Sequence, residues 1–225
     1  MKTTAIIPAA GSGKRMGKPK MFLMLGSLPV LAHTLRSFDN AETIDEVIIS
    51  AREQDILLIW DMISEFGIKK VSKIINGGST RTESVAKALT EASDDTEIIA
   101  VHDGARPLIT SQLIDFAVGE AKKLNAVTLG VPVKDTIKRT AANNVITETL
   151  ERESLYHIQT PQVFRSDILR DAYERAENIG IDATDDCGLV EQLGVPVHII
   201  EGDYQNIKIT TLEDLTIGES LLWKK

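Results

Sequence analysis

Apolar positions follow two different periods along most of the chain. Short apolar runs such as "AIIP" (5–8), "EVIISA" (46–51) and "AVTLGVPV" (126–133) predict buried strands, whereas "PVLAHTLRSFDNA" (29–41) and "QDILLIWDMISEFG" (54–67) have the spacing of amphipathic helices. Strands that alternate with helices are typical of a parallel or mostly parallel sheet with helices on both faces. We therefore predict an α/β fold.

The alternation continues to the end of the chain. Further helices are predicted at 79–92, where Ser79 or Thr80 can cap the first turn, and at 110–125, 166–178, 185–193 and 211–223; further strands are predicted at "PVHIIEG" (196–202) and "NIKIT" (206–210). Ligands of such sheets bind at the carboxyl ends of the strands. The loops predicted to carry function are therefore "PAAGSGKRMGKPK" (8–20), "NGGSTRTES" (76–84) and "HDGARP" (102–107).

The pattern changes between residues 132 and 163. Polar and apolar residues alternate there, and "AANN" (141–144) has the composition of a turn, so this region is predicted to form a β-hairpin arm. The arm can fold onto its own domain or exchange with a second subunit. The residue pattern is compatible with both arrangements.

Composition and charge narrow the class of protein. The chain has 225 residues, 43% of them hydrophobic and 26% charged, and a formal net charge of −8. This length predicts one domain, 1–225, and the acidic balance argues against a general nucleic-acid binder. No apolar run reaches the roughly 18 residues of a membrane span, and the N-terminus reaches Pro8 before a signal-peptide core can form. With Cys187 as its single cysteine, the protein is expected in the cytoplasm.

The loop at 8–20 is rich in glycine and in cations. Its spacing does not fit a P-loop, and Gly17 comes one residue too late for the dinucleotide-binding pattern. Four cations crowd into seven residues, namely Lys14, Arg15, Lys18 and Lys20. So many positive charges suit a triphosphate whose innermost phosphorus gains negative charge during attack.

Several segments resemble one enzyme family. The stretch "PAAGSGKRMG" followed by "PK" resembles the nucleotidyltransferase signature, and the match extends to "GGSTRTESV", "VHDGARP", "VPVKDTIKR", "LYHIQTPQVF" and "QNIKIT" in that order. Together they resemble the 2-C-methyl-D-erythritol 4-phosphate cytidylyltransferases of the non-mevalonate isoprenoid pathway. The resemblance implies a Rossmann-like, mostly parallel twisted sheet of the nucleotide-diphospho-sugar transferase type. It also implies a homodimer formed through a protruding arm at 132–163.

The resemblance implies a reaction and a set of site residues. CMP would pass from CTP to methylerythritol phosphate with release of pyrophosphate, with Mg²⁺ as the cofactor at Asp103. The implied catalytic residues are Arg15, Lys20, Arg152 and Lys208. The implied CTP-binding residues are Pro8, Ala9, Ala10, Gly11, Gly13, Gly78, Ser79, Ser84 and Asp103. The implied polyol-phosphate residues are Asp103, Arg106, Thr136, Arg152, Thr160 and Lys208.

Two other functions stay open at this point. A ribitol-5-phosphate cytidylyltransferase would share the fold and the CTP loop, although its relatives tend to have Val where this chain has Ala105. A non-catalytic nucleotide-binding regulator would tolerate loss of the catalytic cations. The chain departs from the family at Met21, where many relatives have Gln, and at Ser79, where many have Asp.

Overall fold

The computed structural model describes residues 1–11, 20–180 and 183–223. The strands are β1 Lys2–Pro8, β2 Met24–Leu25, β3 Leu28–Pro29, β4 Glu46–Ala51, β5 Val71–Asn76, β6 Thr96–Val101, β7 Ala126–Pro132, β8 Lys138–Thr140, β9 Ile146–Thr149, β10 Tyr156–Arg165 and β11 His198–Glu201. The helices are α1 Val30–Asn40, α2 Ile56–Glu65, α3 Arg81–Glu91, α4 Ser111–Leu124, α5 Ser166–Ile179, α6 Asp186–Glu191 and α7 Leu212–Leu222.

The central sheet has the strand order β11-β7-β10-β6-β1-β4-β5. β10 runs antiparallel to both of its neighbours, β7 and β6, and the other pairings are parallel. In the middle of the sheet, Ile6 of β1 lies between Ile48 of β4 and Val101 of β6. The prediction of a mostly parallel α/β sheet is confirmed.

Helices cover both faces of this sheet because successive strand residues point to opposite sides. On one face, Ala5 and Ile7 pack with apolar residues of α1, α2 and α4. On the other face, Ile6 and Ile48 pack with α3, α5 and α6. The continuous apolar runs of the sequence therefore bury both faces of their strands, as parallel sheets require.

Helix α3 begins where the sequence placed a cap. The side chain of Thr80 accepts a hydrogen bond from the backbone N–H of Glu83, so Thr80 and not Ser79 is the N-cap. This cap fixes the turn that leads from β5 into α3.

A third apolar cluster anchors the C-terminal part of the chain. Leu25, Val30, Leu108 and Ile209 form it, and α7 packs against it. Residues 206–210 form no strand, so that prediction is wrong. The backbone N–H of Ile209 donates to the carbonyl of Ala105, and the segment crosses a loop instead of joining a sheet.

The predicted arm divides into two parts. Strands β8 and β9 pair only with each other, in a hairpin whose residues are largely exposed. The following residues, Tyr156–Arg165, are β10 and belong to the central sheet. The projecting part is therefore shorter than 132–163. None of the helices in the described part of the chain has the length and apolar character of a membrane span.

Candidate functional site

The carboxyl ends of β1, β5 and β6 open onto one cavity of about 370 Å³. Parallel strands end at the same edge of a sheet, so the three loops singled out by the sequence meet there. The cavity is lined by Pro8, Ala10, Gly11, Lys20, Met21, Gly78, Ser79, Thr80, Arg81, Ser84, Asp103, Gly104, Ala105 and Lys208.

One wall of the cavity is a tightly packed turn at Gly77 and Gly78. A Cβ atom at Gly77 would lie 2.8 Å from the Cβ of Ala10, and one at Gly78 would lie 2.1 Å from the Cβ of Glu83. The N–H of Gly78 donates to the hydroxyl of Ser84 at 3.0 Å. Only glycine fits these two positions, so the turn presents backbone atoms and short side chains to the cavity.

Ser79 precedes helix α3 and is hydrogen-bonded to Glu83 in the first turn of that helix. Its N–H and its hydroxyl both donate to Oε2 of Glu83, at 2.6 and 2.7 Å. The side-chain and backbone hydrogen bonds from Ser79 hold the pKa of Glu83 below its ordinary value. Ser79 therefore lines the cavity with a hydroxyl that is already engaged.

Asp103 is the carboxylate of the cavity. Its Oδ2 lies 2.7 Å from Nζ of Lys208, and its Oδ1 lies 3.3 Å from Nε of Arg81. Burial by itself would raise the pKa of Asp103, but the neighbouring Lys208 and Arg81 outweigh it and hold the pKa below its ordinary value. The carboxylate is therefore ionised at neutral pH.

Arg81 lines the cavity although it is not among the site residues that the family resemblance implied. It is the first residue of α3, it lines the cavity, and it joins Asp103 to Asp186. Burial opposes the charge of Arg81, yet the carboxylate of Asp186 raises its pKa above the ordinary value. A cation at the start of the helix after β5, within a loop already predicted to be functional, was the available signal.

Thr160 and His102 are next to Asp103 but do not line the cavity. The hydroxyl of Thr160 accepts a hydrogen bond from the N–H of Asp103 at 3.1 Å and lies 3.1 Å from Nδ1 of His102. Nε2 of His102 lies 3.3 Å from the carbonyl of Arg106. Burial lowers the pKa of His102 to about 3, so the ring is neutral. Thr160 thus contacts the backbone of Asp103, and its hydroxyl is not part of the cavity lining.

Arg106 packs against the C-terminal segment. Its Nη1 donates to the carbonyl of Asn206 at 2.7 Å, and its buried Nε has no hydrogen-bond partner among the described residues. Burial lowers the pKa of Arg106, and the charge of Asp103 opposes that change. Arg106 follows Ala105, which lines the cavity, and it lies close enough to Asp103 for the two charges to interact.

The two lysines of the predicted set come from distant parts of the chain. Lys20 donates from Nζ to the carbonyl of Ile209 at 3.3 Å, and Lys208 is the residue before Ile209. The irregular segment 206–210 therefore brings Lys208 to the cavity and contacts Lys20 as well. Alternation along this segment buries Ile209 and exposes Lys208, which explains its strand-like sequence.

The site residues implied by the family resemblance divide into three groups. Among the described residues, those that line the cavity are Pro8, Ala10, Gly11, Lys20, Gly78, Ser79, Ser84, Asp103 and Lys208. Those that do not line it are Ala9, Arg106, Thr136, Arg152 and Thr160. Arg152 is exposed and donates from Nη1 to the carbonyl of Lys134 at 3.2 Å. Gly13 and Arg15 lie outside the described residues.

The donor set near Asp103 suits a hard cation held mainly by its substrate. Among the residues that the structure describes, no three His, Cys, Asp or Glu side chains come together as a metal cage. One ionised carboxylate at the cavity is the protein contribution that Mg²⁺ needs when phosphate oxygens and water supply the remaining ligands. The site thus combines a cavity of about 370 Å³, the cations Lys20, Arg81 and Lys208, and the carboxylate of Asp103.

Sequence comparisons point to a single family. The family model of the 2-C-methyl-D-erythritol 4-phosphate cytidylyltransferases matches residues 3–224. The chain is 45% identical over 224 residues to a protein of that name from Alkaliphilus metalliredigens, covering 98% of this chain and 93% of the relative. It is 44% identical over 221 residues to one from Bacillus cytotoxicus, covering 97% of each.

Structural comparisons agree with the sequence comparisons. The crystal structure of a 4-diphosphocytidyl-2C-methyl-D-erythritol synthase from Anaerococcus prevotii superposes with a TM-score of 0.89 at 31% identity, covering 99% of this chain and 96% of that one. A 2-C-methyl-D-erythritol 4-phosphate cytidylyltransferase from Thermus thermophilus superposes with a TM-score of 0.80 at 32% identity, covering 98% of each chain. The similarity extends over the whole chain in both comparisons.

Proposed function

The chain belongs to the 2-C-methyl-D-erythritol 4-phosphate cytidylyltransferase family, and on that basis we propose that it transfers CMP from CTP to 2-C-methyl-D-erythritol 4-phosphate. The products are 4-diphosphocytidyl-2-C-methyl-D-erythritol and pyrophosphate. The observation that carries this proposal is the meeting of Lys20, Asp103 and Lys208 in one cavity of a chain that matches the family from end to end.

The wall at Gly77 and Gly78 is suited to hold the cytosine base. A planar base needs close approach to the wall, and the glycine turn would allow it because Gly78 carries no side chain and Ser84 beside it is small. The loop from Pro8 to Gly11, which also lines the cavity, would then face the triphosphate. Backbone N–H groups of a loop after a buried strand are common phosphate ligands.

The proposed reaction depends on positive groups that stabilise negative charge on phosphate, and it needs no general base. An oxygen of the polyol phosphate attacks the α-phosphorus of CTP, the bond from that phosphorus to the bridging oxygen breaks, and pyrophosphate leaves with the bonding electrons. The attacking oxygen is already an anion, so no proton has to be removed. Lys20, with Arg15 by family resemblance, would stabilise the charge that grows on the α-phosphate. Lys208 would hold the incoming phosphate.

Mg²⁺ is the cofactor that the carboxylate suits. We assign Asp103 as the protein ligand, and the ion would supply neutralisation of the triphosphate when bound. Lys208 now occupies Oδ2 of Asp103 at 2.7 Å. The same lysine is proposed to hold the polyol phosphate, so its contact with Asp103 would weaken when that anion arrives.

We further propose that the protein is a homodimer in which each arm completes the site of the other subunit. The supporting observation is that Thr136 and Arg152, two residues assigned to the polyol phosphate, are exposed at the base of the hairpin and do not line the cavity of their own chain. A second copy would bring them to that cavity. The buried thiol of Cys187 is consistent with work in the reducing cytoplasm.

Pyrophosphate release tests the proposed function directly. The purified protein is incubated with Mg²⁺ and CTP, and then with methylerythritol phosphate, ribitol 5-phosphate or glycerol phosphate in parallel reactions. We expect release only with methylerythritol phosphate. Equal turnover of all three would reject the proposed substrate, and preference for ribitol 5-phosphate would identify the sister activity. Tight CTP binding without turnover of any polyol phosphate would indicate a regulator.

A further inference from the structure

We propose that Asp186, which does not line the cavity, is a positioning residue for Asp103 and acts through Arg81; this inference rests on the proposed function. Asp186 is the first residue of α6 and is completely buried, with a relative exposure of 0%. Its carboxylate meets Arg81 on the side away from Asp103. A full charge in the core needs a compensating partner, and Arg81 is that partner.

The guanidinium of Arg81 is divided between two carboxylates. Nη1 lies 3.1 Å from Oδ1 of Asp186 and Nη2 lies 2.7 Å from Oδ2, so this contact is bidentate. Nε is left to reach Oδ1 of Asp103 at 3.3 Å, which is a longer contact. Because Asp186 accepts hydrogen bonds from both terminal nitrogens, Arg81 cannot rotate to form a bidentate contact with Asp103. The lone pairs of Asp103 therefore stay available to the cavity.

Asp186 is itself held from three directions. The phenol of Tyr173 donates to its Oδ1 at 2.5 Å. The side-chain carbonyl of Gln162 accepts from the N–H groups of Asp186 and Cys187, at 3.0 and 3.1 Å. The amide of Gln162 donates in turn to Asp185, the N-cap of α6. Strand β10 and helices α5 and α6 thus fix one end of Arg81 in the core.

Charge balance gives the same assignment. Among the described residues, the cations that act on Asp103 include Lys208, Arg81 and Arg106. Without Asp186 these three positive charges would face a single carboxylate, and a metal ion would meet a strongly positive site. The buried second carboxylate removes one of those charges. Arg81 can then orient Asp103 without blocking its use by a cation or a ribose hydroxyl.

The central test is the isosteric variant Asp186→Asn. We expect kcat to fall roughly 10–100-fold, the range observed when residues that support a metal ligand are changed. The affinity for CTP without Mg²⁺, measured by calorimetry, should change less than about threefold, since all cations of the cavity remain. The gain in CTP affinity on adding Mg²⁺ should shrink about tenfold. A kcat within threefold of the wild type would overturn the proposal.

Asp55→Asn is the matched control. Asp55 is also buried and also takes a bidentate contact from an arginine, with Nε and Nη2 of Arg52 at 2.6 and 3.0 Å, but neither residue lines the cavity. We expect a comparable loss of thermal stability in both variants and a loss of kcat in Asp186→Asn alone. If Asp55→Asn lowers kcat as much, the effect of Asp186 is on the fold and the proposal is wrong.

A double-mutant cycle separates positioning from general damage. If Asp186 acts through Asp103, then adding Asp186→Asn to Asp103→Asn should lower kcat and Mg²⁺-dependent CTP binding no further. Multiplying losses would contradict the proposal. Should Asp186→Asn fail to fold, Arg81→Lys replaces it, because lysine keeps the charge but cannot bridge two carboxylates, and the same losses are expected.

The proposed function and this inference can fail separately. Wild-type turnover with methylerythritol phosphate tests the first. If the wild type does not turn over, the calorimetric cycle still decides the second: equal weakening of Mg²⁺-dependent CTP binding in Asp103→Asn, Asp186→Asn and the double variant supports positioning. An unchanged gain from Mg²⁺ in Asp186→Asn rejects it.

Discussion

His102 and Asp103 are neighbours in the chain but meet opposite environments. The His102 ring is fully buried, packs at 5.0 Å between centroids against Phe38, and is neutral. Asp103 faces the cavity and its cations. Both are held by Thr160, whose hydroxyl contacts the ring of one and the backbone of the other. One turn therefore separates a neutral structural side chain from a charged functional one.

This environment of His102 predicts a pH-dependent stability. Its pKa is about 3 in the folded protein, against about 6.5 for an unperturbed histidine. Between those values the unfolded chain binds a proton that the folded chain does not, so stability falls as the pH falls. From pH 7 to pH 5 the free energy of unfolding should drop by about 2 kcal/mol because of this residue. Urea unfolding at both pH values measures it.

The variant His102→Gln should lose that part of the pH dependence, whatever its stability at pH 7. His157, which is exposed, provides the control, and His157→Gln should keep the wild-type pH dependence. Equal slopes for wild type and His102→Gln would show that the ring does not stay neutral in the folded protein.

At the residue scale the family resemblance led to charged residues of the cavity but not to the residues that support them. Lys20, Asp103 and Lys208 belong to the short motifs that carry the resemblance, and all three line the cavity. Asp186 lies in the helix predicted at 185–193, and its proposed role depends on Arg81 and Gln162, which are distant in sequence. No local pattern encodes such contacts, because they arise only when α3, α6 and β10 pack together.

At the scale of elements, the turn from β5 into α3 is the most tightly constrained. The segment is fixed by the cap at Thr80, by the hydrogen bond from Gly78 to Ser84, and by the close approach of Gly78 to Glu83. The same backbone forms a wall of the cavity. Its geometry and the affinity for CTP should therefore change together.

Gly78→Ala tests this coupling. The new Cβ would lie 2.1 Å from the Cβ of Glu83, so the turn must move, and we expect a stability loss of about 1–3 kcal/mol. Moving this turn should also displace a wall of the cavity, and a loss of about 1.4 kcal/mol in binding free energy would correspond to about tenfold weaker CTP binding. Thermal unfolding and calorimetry report the two quantities.

Gly119→Ala is the matched substitution. Gly119 lies within α4, and a Cβ atom there meets no atom within 4 Å. Alanine should stabilise the helix by about 0.5–1 kcal/mol and leave CTP binding unchanged. A CTP affinity that is equal in both variants would show that the Gly78 turn does not hold the nucleotide.

Helices and strands with a clear apolar period were predicted well, whereas the segment 206–210, which has no neighbouring strand among the described residues, was not. The order of strands and helices from β4 to β7 follows from apolar spacing alone. Residues 206–210 alternate polar and apolar residues like a strand, with Lys208 exposed and Ile209 buried, yet they pair with no strand in the described part of the chain. Alternation reports which side chains are buried; it does not report whether a neighbouring strand exists.

At the scale of the molecule, the hairpin of β8 and β9 is separated from the cavity of its own chain. Ile146 of the hairpin and Tyr156 and Ile158 at the start of β10 are exposed, and so is Ile199 of the edge strand β11, which lies near Ile158 above Gly130. Exposed apolar side chains of this size are ones that association with a second copy would bury. Arg152 lies between this hairpin and β10.

Arm exchange makes a quantitative prediction for mixed subunits. If Arg152 serves the partner's cavity and Lys20 its own, Arg152→Ala and Lys20→Ala homodimers each have two defective sites. A mixed dimer has one site with both residues intact and one site that lacks both. After unfolding and refolding an equal mixture, half of the dimers are mixed, so activity should return to about one quarter of the wild-type value.

The control is a mixture of Lys20→Ala with Lys208→Ala. Both lysines contact the same cavity of one chain, so every subunit carries a defect in its own site and mixing should restore no activity. Size-exclusion chromatography of the refolded mixtures confirms that dimers form. If the Arg152 mixture also stays inactive while dimers are present, Arg152 acts within its own chain and the exchanged arm is wrong. Restoration in the Lys208 mixture would instead show that the segment carrying Lys208, and not the hairpin, crosses between subunits.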